Sequence, residues 1–138
     1  MRNWIVRIAL AVLAVVSVEL GVWATFAPRS FFDDYPGLGR HWVRAYGPYN
    51  EHLVRDFGAL NLALAVVTIV ALITLARPIV IAVAIAWLAW GIPHLVYHLR
   101  HLDVFSTSDK VANVVGLAAV PVLAVVVLVL TLQRPART

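Results

Sequence analysis

NLALAVVTIVALITLARPIVIAVAIAWLAW, Asn61–Trp90, carries a single charged residue, Arg77. It reads as two apolar runs broken at Arg77-Pro78. Proline suits the first position of a helix, where its missing N–H costs nothing. A two-residue connection leaves the flanking runs no room to lie other than antiparallel. Extended outward, they become His52–Ala76 and Ile79–Leu99. Two similar stretches, Trp4–Ala27 and Lys110–Leu132, complete the set. Each is roughly 20 to 25 residues, enough to cross a hydrocarbon layer of about 30 Å as a helix. Lipid offers backbone groups no water to bond, so helices are expected. The chain is therefore predicted to be all-α: one transmembrane domain, residues 1–138, forming an antiparallel four-helix bundle with a long loop, Pro28–Asn50, between the first two spans.

Composition agrees. Of 138 residues, 62% are hydrophobic, and the mean hydropathy is +0.89. A soluble globule this small could not bury so much apolar surface. There is no cysteine, which excludes disulfides, thiolate metal sites and thiol nucleophiles. The net charge of +4 comes from scattered arginines and one lysine, not from a basic patch, so nucleic acid is not an expected partner.

Local signals mark the ends. Asn50, after Gly47-Pro48, is a suitable N-cap for the second span. Ser106 to Asp109 reads S-x-x-D, a capping box for the fourth. The first span resembles a signal peptide in carrying Arg2 and Arg7. Its length, the interruption at Glu19 and the lack of an A-x-A site favour an uncleaved helix. Arg2, Arg7, Arg77, Arg134 and Arg137 crowd one face in short segments. That density favours a multi-pass cell-membrane protein with both termini cytoplasmic.

Four antiparallel spans bring the end of span one, the start of span two, the end of span three and the start of span four to one face. The polar residues gather there. Glu19 lies about 13 Å before Pro28, while Asp56 and His94 lie about 9 Å in from Asn50 and Arg100, at 1.5 Å per residue. His94, His98 and His101 share a helical stripe that Trp87 and Trp90 continue inward, and His52 shares a face with Asp56. Charge in hydrocarbon is costly and is expected to face a bundle interior or a wet cavity. The expectation is a polar pocket near one face built from Glu19, His52, Asp56, His94 and His98, with Arg55, Asn61 and Asn113 nearby and the aromatic-rich loop over it. Pro93 and Pro121 interrupt spans three and four.

Three chemistries fit these residues. Imidazole and carboxylate suit a transition metal, with His52, Asp56, His94 and His98 as ligands. Axial ligation of haem by two histidines is a weaker variant. Glu19 beside an imidazole could handle a proton or contact a quinone or lipid-like molecule. Against these stands a non-catalytic accessory subunit of a membrane complex whose polar residues only pair internally. No catalytic residue is assignable, and whether the protein is an enzyme stays open.

VELGVWATFAP (Val18–Pro28) and LVRDFGALNLALA (Leu53–Ala65), with Arg55, Gly58, Ala59 and Leu62 in an Arg-x-x-Gly pattern, resemble the small DoxX-like membrane proteins. PYNEHLVRD (Pro48–Asp56) and PHLVYHLRHLD (Pro93–Asp103) resemble uncharacterised actinobacterial members. The resemblance implies a four-helix membrane fold and an association with quinone-linked redox or accessory-subunit roles.

Overall fold

The computed structural model describes residues 2–133; Arg134 and Arg137, and the side chain of Arg2, which entered the charge argument, lie outside the described residues. Its helices are α1 (Arg2–Phe26), α2 (Pro28–Asp34), α3 (Glu51–Thr74), α4 (Arg77–Leu99) and α5 (Thr107–Leu132). Four of them, all but α2, are long and apolar enough to cross a membrane. They match the expected spans to within a few residues at each end.

The ends follow local chemistry. Pro28 opens α2 and has no N–H to offer a carbonyl of α1, so α1 stops at Phe26. Asn50 Oδ1 accepts from the Leu53 amide at 3.1 Å and starts α3. Leu75, in the left-handed region with φ 49°, ends α3, and its N–H returns to the Ala71 carbonyl at 2.9 Å. Pro78 sits in the first turn of α4. Ser106 caps α5 by accepting from the Asp109 amide at 3.3 Å.

Segment Pro28–Asn50, expected as loop, is partly ordered into elements. It holds α2, a minimal hairpin of β1 (Pro36–Gly37) and β2 (Arg40–His41), and a 3₁₀ turn at Arg44–Tyr46. Phe31 and Phe32 of α2 are buried against Ala24 and Val54 rather than spread as surface anchors.

The long helices form an up-down-up-down ring in the order α1, α3, α4, α5, each antiparallel to its neighbours. Val6, Leu10 and Leu13 of α1, Leu64 and Ala71 of α3, Val80, Val83 and Trp87 of α4, and Ala124 and Val127 of α5 make the core. Buried polar groups are used there: Trp87 Nε1 donates to Thr68 Oγ1 (2.9 Å), which donates to the Leu64 carbonyl (2.6 Å). The closest seam joins α1 to α3. A Cβ at Gly21 would stand 2.9 Å from the Leu62 backbone nitrogen, and one at Gly58 would stand 2.6 Å from that of Thr25. Ser17 Oγ crosses the seam to the Asn61 carbonyl at 2.6 Å. Arg55 donates to the Thr25 carbonyl, one of the last of α1 with no partner within the helix. The Arg-x-x-Gly pattern thus has a physical role here: the arginine caps α1 and the glycine lets the two backbones meet.

Candidate functional site

The buried stripe of α4 runs Val80, Val83, Ala84, Trp87, Gly91, and at steps of three and four it continues through His94 and His98. Both imidazoles therefore turn inward. His94 stacks on Trp90 with centroids 4.7 Å apart and planes 17° apart, and lies 6.3 Å from Phe57 of α3. His98 follows at 4.6 Å. Its Nδ1 shares a 2.8 Å hydrogen bond with the Tyr46 hydroxyl.

From there the rings close on themselves. Tyr46 meets Phe105 edge-on at 5.3 Å, Phe105 meets Trp42 at 6.3 Å, and Trp42 meets Tyr35 at 6.1 Å. Tyr35 meets Phe31 at 4.9 Å, and Phe31 meets Phe57 at 5.6 Å, beside His94. The circuit draws on α2, α3, α4 and the connecting segments. It rings the end of the bundle where the connections lie. Asp109, in the first turn of α5, anchors it: Oδ1 accepts from Arg40 Nη1 at 2.8 Å and from Trp42 Nε1 at 2.9 Å.

Two amides lie on the inner faces, Asn113 near this end and Asn61 near the middle of α3. Asn61 of α3 is fully buried; its Nδ2 donates to the Phe57 carbonyl at 2.9 Å, and its Oδ1 has no partner. Asn113 of α5 is 2% exposed and interacts with His98, yet its Oδ1 misses the geometry of a hydrogen bond. Burial raises the pKa of the Tyr46 phenol to about 12, with Tyr97 and Asp103 adding to the effect. Burial also raises that of Tyr35, helped by the negative charge of Glu19. Both hydroxyls stay protonated through the physiological range.

The carboxylates expected in the pocket, Glu19 and Asp56, are elsewhere. His52 and Asp56 pair with each other at 3.3 Å on the outer face of α3, with side chains 87% and 63% exposed. The reason is phase. Asp56 falls midway between the buried Val54 and Gly58, about 200° around the helix from each. Arg55 bonds Glu51 at 2.8 Å on the same exposed turn. Glu19 is exposed on the outer side of α1 and makes no hydrogen bond or ion pair among the described residues. His101 lies beyond the end of α4 and stacks on Tyr97 at 4.2 Å.

The mixed His/carboxylate pocket expected from sequence is thus corrected to an aromatic–imidazole–amide site. His94, His98 and Asn113 come together in it, Asn61 lies deeper, near the middle of α3, and Glu19, His52, Arg55 and Asp56 are exposed outside it. The proposed ligand set His52, Asp56, His94 and His98 is not assembled. Among the described residues no three His, Asp or Glu side chains converge to hold a metal ion. Tyr46 and Trp42, from the aromatic-rich loop expected over the pocket, border it, as do Phe105 and Asp109, which the sequence did not mark as site residues. The S-x-x-D signal marked Asp109, but only as part of a cap.

Comparison with family models, with curated proteins and with solved structures yields no match to this chain.

Proposed function

We propose that this is a multi-pass integral membrane protein of DoxX-like fold, with four spanning helices and both termini cytoplasmic. Its loop-side half binds a flat ring bearing a hydroxyl, such as the headgroup of a quinol, between α3, α4 and α5. The lipid bilayer is its solvent and the route by which the ligand arrives. The observation that carries this reading is the buried Oδ1 of Asn113, which faces His98 without completing a well-formed hydrogen bond. A buried acceptor without a donor is costly, and a ligand hydroxyl would supply one. Trp90, His94 and Phe57, stacked on one another, make the surroundings aromatic, which suits a planar molecule.

The test is a titration of the protein in nanodiscs with a short-chain hydroquinone, followed by tryptophan fluorescence. Saturable quenching is expected from the wild type and not from Asn113→Leu. Equal quenching in the variant, or by the same ring lacking its hydroxyls, overturns the reading.

A second reading is a non-catalytic accessory subunit. The internal pairs Glu51–Arg55 and Arg40–Asp109 favour it, because they satisfy charge without any ligand. Under that reading the wild type shows no saturable quenching, and the protein migrates with a larger complex when extracted in mild detergent.

A further inference from the structure

Three hydrogen-bonding groups from three separate segments meet at the loop-side end: Tyr46 of the connecting segment, His98 of α4 and Asn113 of α5. Their protons follow from the chemistry of each group. The Tyr46 phenol keeps its proton, and the partner of its hydroxyl among the described residues is His98 Nδ1 at 2.8 Å. A phenol O–H needs an acceptor, and a neutral imidazole offers one, the ring nitrogen that carries no proton. With Tyr46 donating to Nδ1, the proton of His98 sits on Nε2. Nε2 is then the nitrogen left for Asn113, whose buried Oδ1 can only accept. The opposite tautomer would leave the phenol proton without that acceptor and set the lone pair of Nε2 towards those of Oδ1.

The imidazole N–H and the amide oxygen thus face each other, yet they complete no well-formed hydrogen bond. A donor and an acceptor placed together but not joined match a group that is both. A hydroxyl is such a group: its oxygen accepts from Nε2 and its hydrogen goes to Oδ1. A carbonyl oxygen also accepts from Nε2, but it has no hydrogen for Oδ1, which stays buried and unpaired. We infer, on the reading that a hydroxylated ring occupies this site, that the site distinguishes the oxidation state of the ring: it holds the hydroquinone, whose oxygen bridges His98 Nε2 and Asn113 Oδ1, and releases the quinone. The discrimination belongs to Asn113, and the affinity common to both forms belongs to His98. Tyr46 is the positioning residue, because its hydrogen bond to Nδ1 makes Nε2 the donor.

The experiment compares tetramethyl-1,4-hydroquinone with tetramethyl-1,4-benzoquinone on the protein in anaerobic nanodiscs. Tryptophan quenching gives each midpoint, corrected for partition into empty nanodiscs. The chain has no cysteine thiol to add to the quinone. The hydroquinone is expected to bind roughly tenfold or more tighter. In Asn113→Leu the hydroquinone should lose that advantage, while the quinone is not weakened, because the amide it left unpaired is gone. In His98→Phe both forms should weaken. Nitrogen-15 spectra of the ligand-free protein, with His98→Phe identifying the signal, should show His98 protonated at Nε2. In Tyr46→Phe its Nδ1 resonance should move towards that of a free ring nitrogen. Equal binding of the two forms by the wild type, or equal weakening of both in Asn113→Leu, overturns the discrimination and leaves the ring site standing. A proton on Nδ1, or an Nδ1 resonance unmoved in Tyr46→Phe, overturns the tautomer on which it depends. Absence of saturable binding by either form sinks the ring-binding reading itself, and the discrimination with it.

Discussion

Replacing Asn113 with leucine should stabilise the unliganded protein while removing its ligand. The side chains are similar in size, and position 113 lies on the buried stripe of α5 with Pro121, Ala124 and Val127. If Oδ1 is unpaired, the native asparagine carries a desolvation cost of about 1–3 kcal/mol, which leucine relieves. If His98 instead donates its free N–H to that oxygen, leucine removes an interhelical hydrogen bond. Such bonds in membrane bundles average about 0.6 kcal/mol and reach about 1.7. The two cases differ in sign, so a modest measurement separates them. Reversible unfolding by steric trapping in bicelles, without added hydroquinone, gives the difference directly. We expect a gain of about 1–2 kcal/mol, part of the relief being lost with the Asn113–His98 contact. A loss of about 1 kcal/mol or more would mean that Oδ1 is already satisfied inside the bundle. The argument for a missing ligand donor would then fail. Asn61→Leu is the comparison: its amide donates to the Phe57 carbonyl, so relief and loss oppose each other and little net change is expected.

Three further expectations probe the frame around the site. Gly58→Val should cost at least about 2 kcal/mol, because its Cβ would meet the Thr25 nitrogen at 2.6 Å and the Ala24 carbonyl carbon at 3.0 Å, backbone atoms that cannot swing aside; the same unfolding assay reads it, and a neutral result would deny the tight α1–α3 seam. Asp109→Ala should release Arg40 and Trp42 by removing the acceptor they share; faster trypsin cleavage at Arg40 and Arg44 would report it, and unchanged cleavage would count against the anchor. Tyr46 should be a late-titrating phenol. Its folded pKa, about 12, lies above the ordinary 10.0, so the folded state holds the proton more tightly. The stability this brings is complete below pH 10 and fades as pH rises toward 12. Ultraviolet titration of wild type against Tyr46→Phe isolates the transition, and a phenol ionising at its ordinary pH would refute the burial at that position.

His52 and Asp56 show where sequence reasoning lost the site. The cost of charge in hydrocarbon argued that they face inward. They lie instead in the first two turns of α3, close enough to its end to reach outward, and they neutralise each other at i, i+4. His94 and His98 were read in the right direction because Trp87 and Gly91 share their stripe, so the apolar pattern itself carried the phase. The aromatic-rich loop was expected over the pocket, but which rings touch what was not legible, because the partners of Phe31, Trp42 and Tyr46, namely Phe57, Asp109 and His98, lie on other helices far along the chain.

By itself the sequence determined the long helices, their ends and the depth of every polar group along its own helix. These are local properties: an apolar run, a capping side chain, a proline without an N–H, a fixed rise per residue. Only the tertiary structure decided which polar groups meet. That depends on how far each helix is rotated about its axis, and the rotation is set by contacts between helices, here Gly21 against Leu62 and Gly58 against Thr25. Those contacts turn Asn61 inward and Asp56 outward, although five residues separate them on one helix.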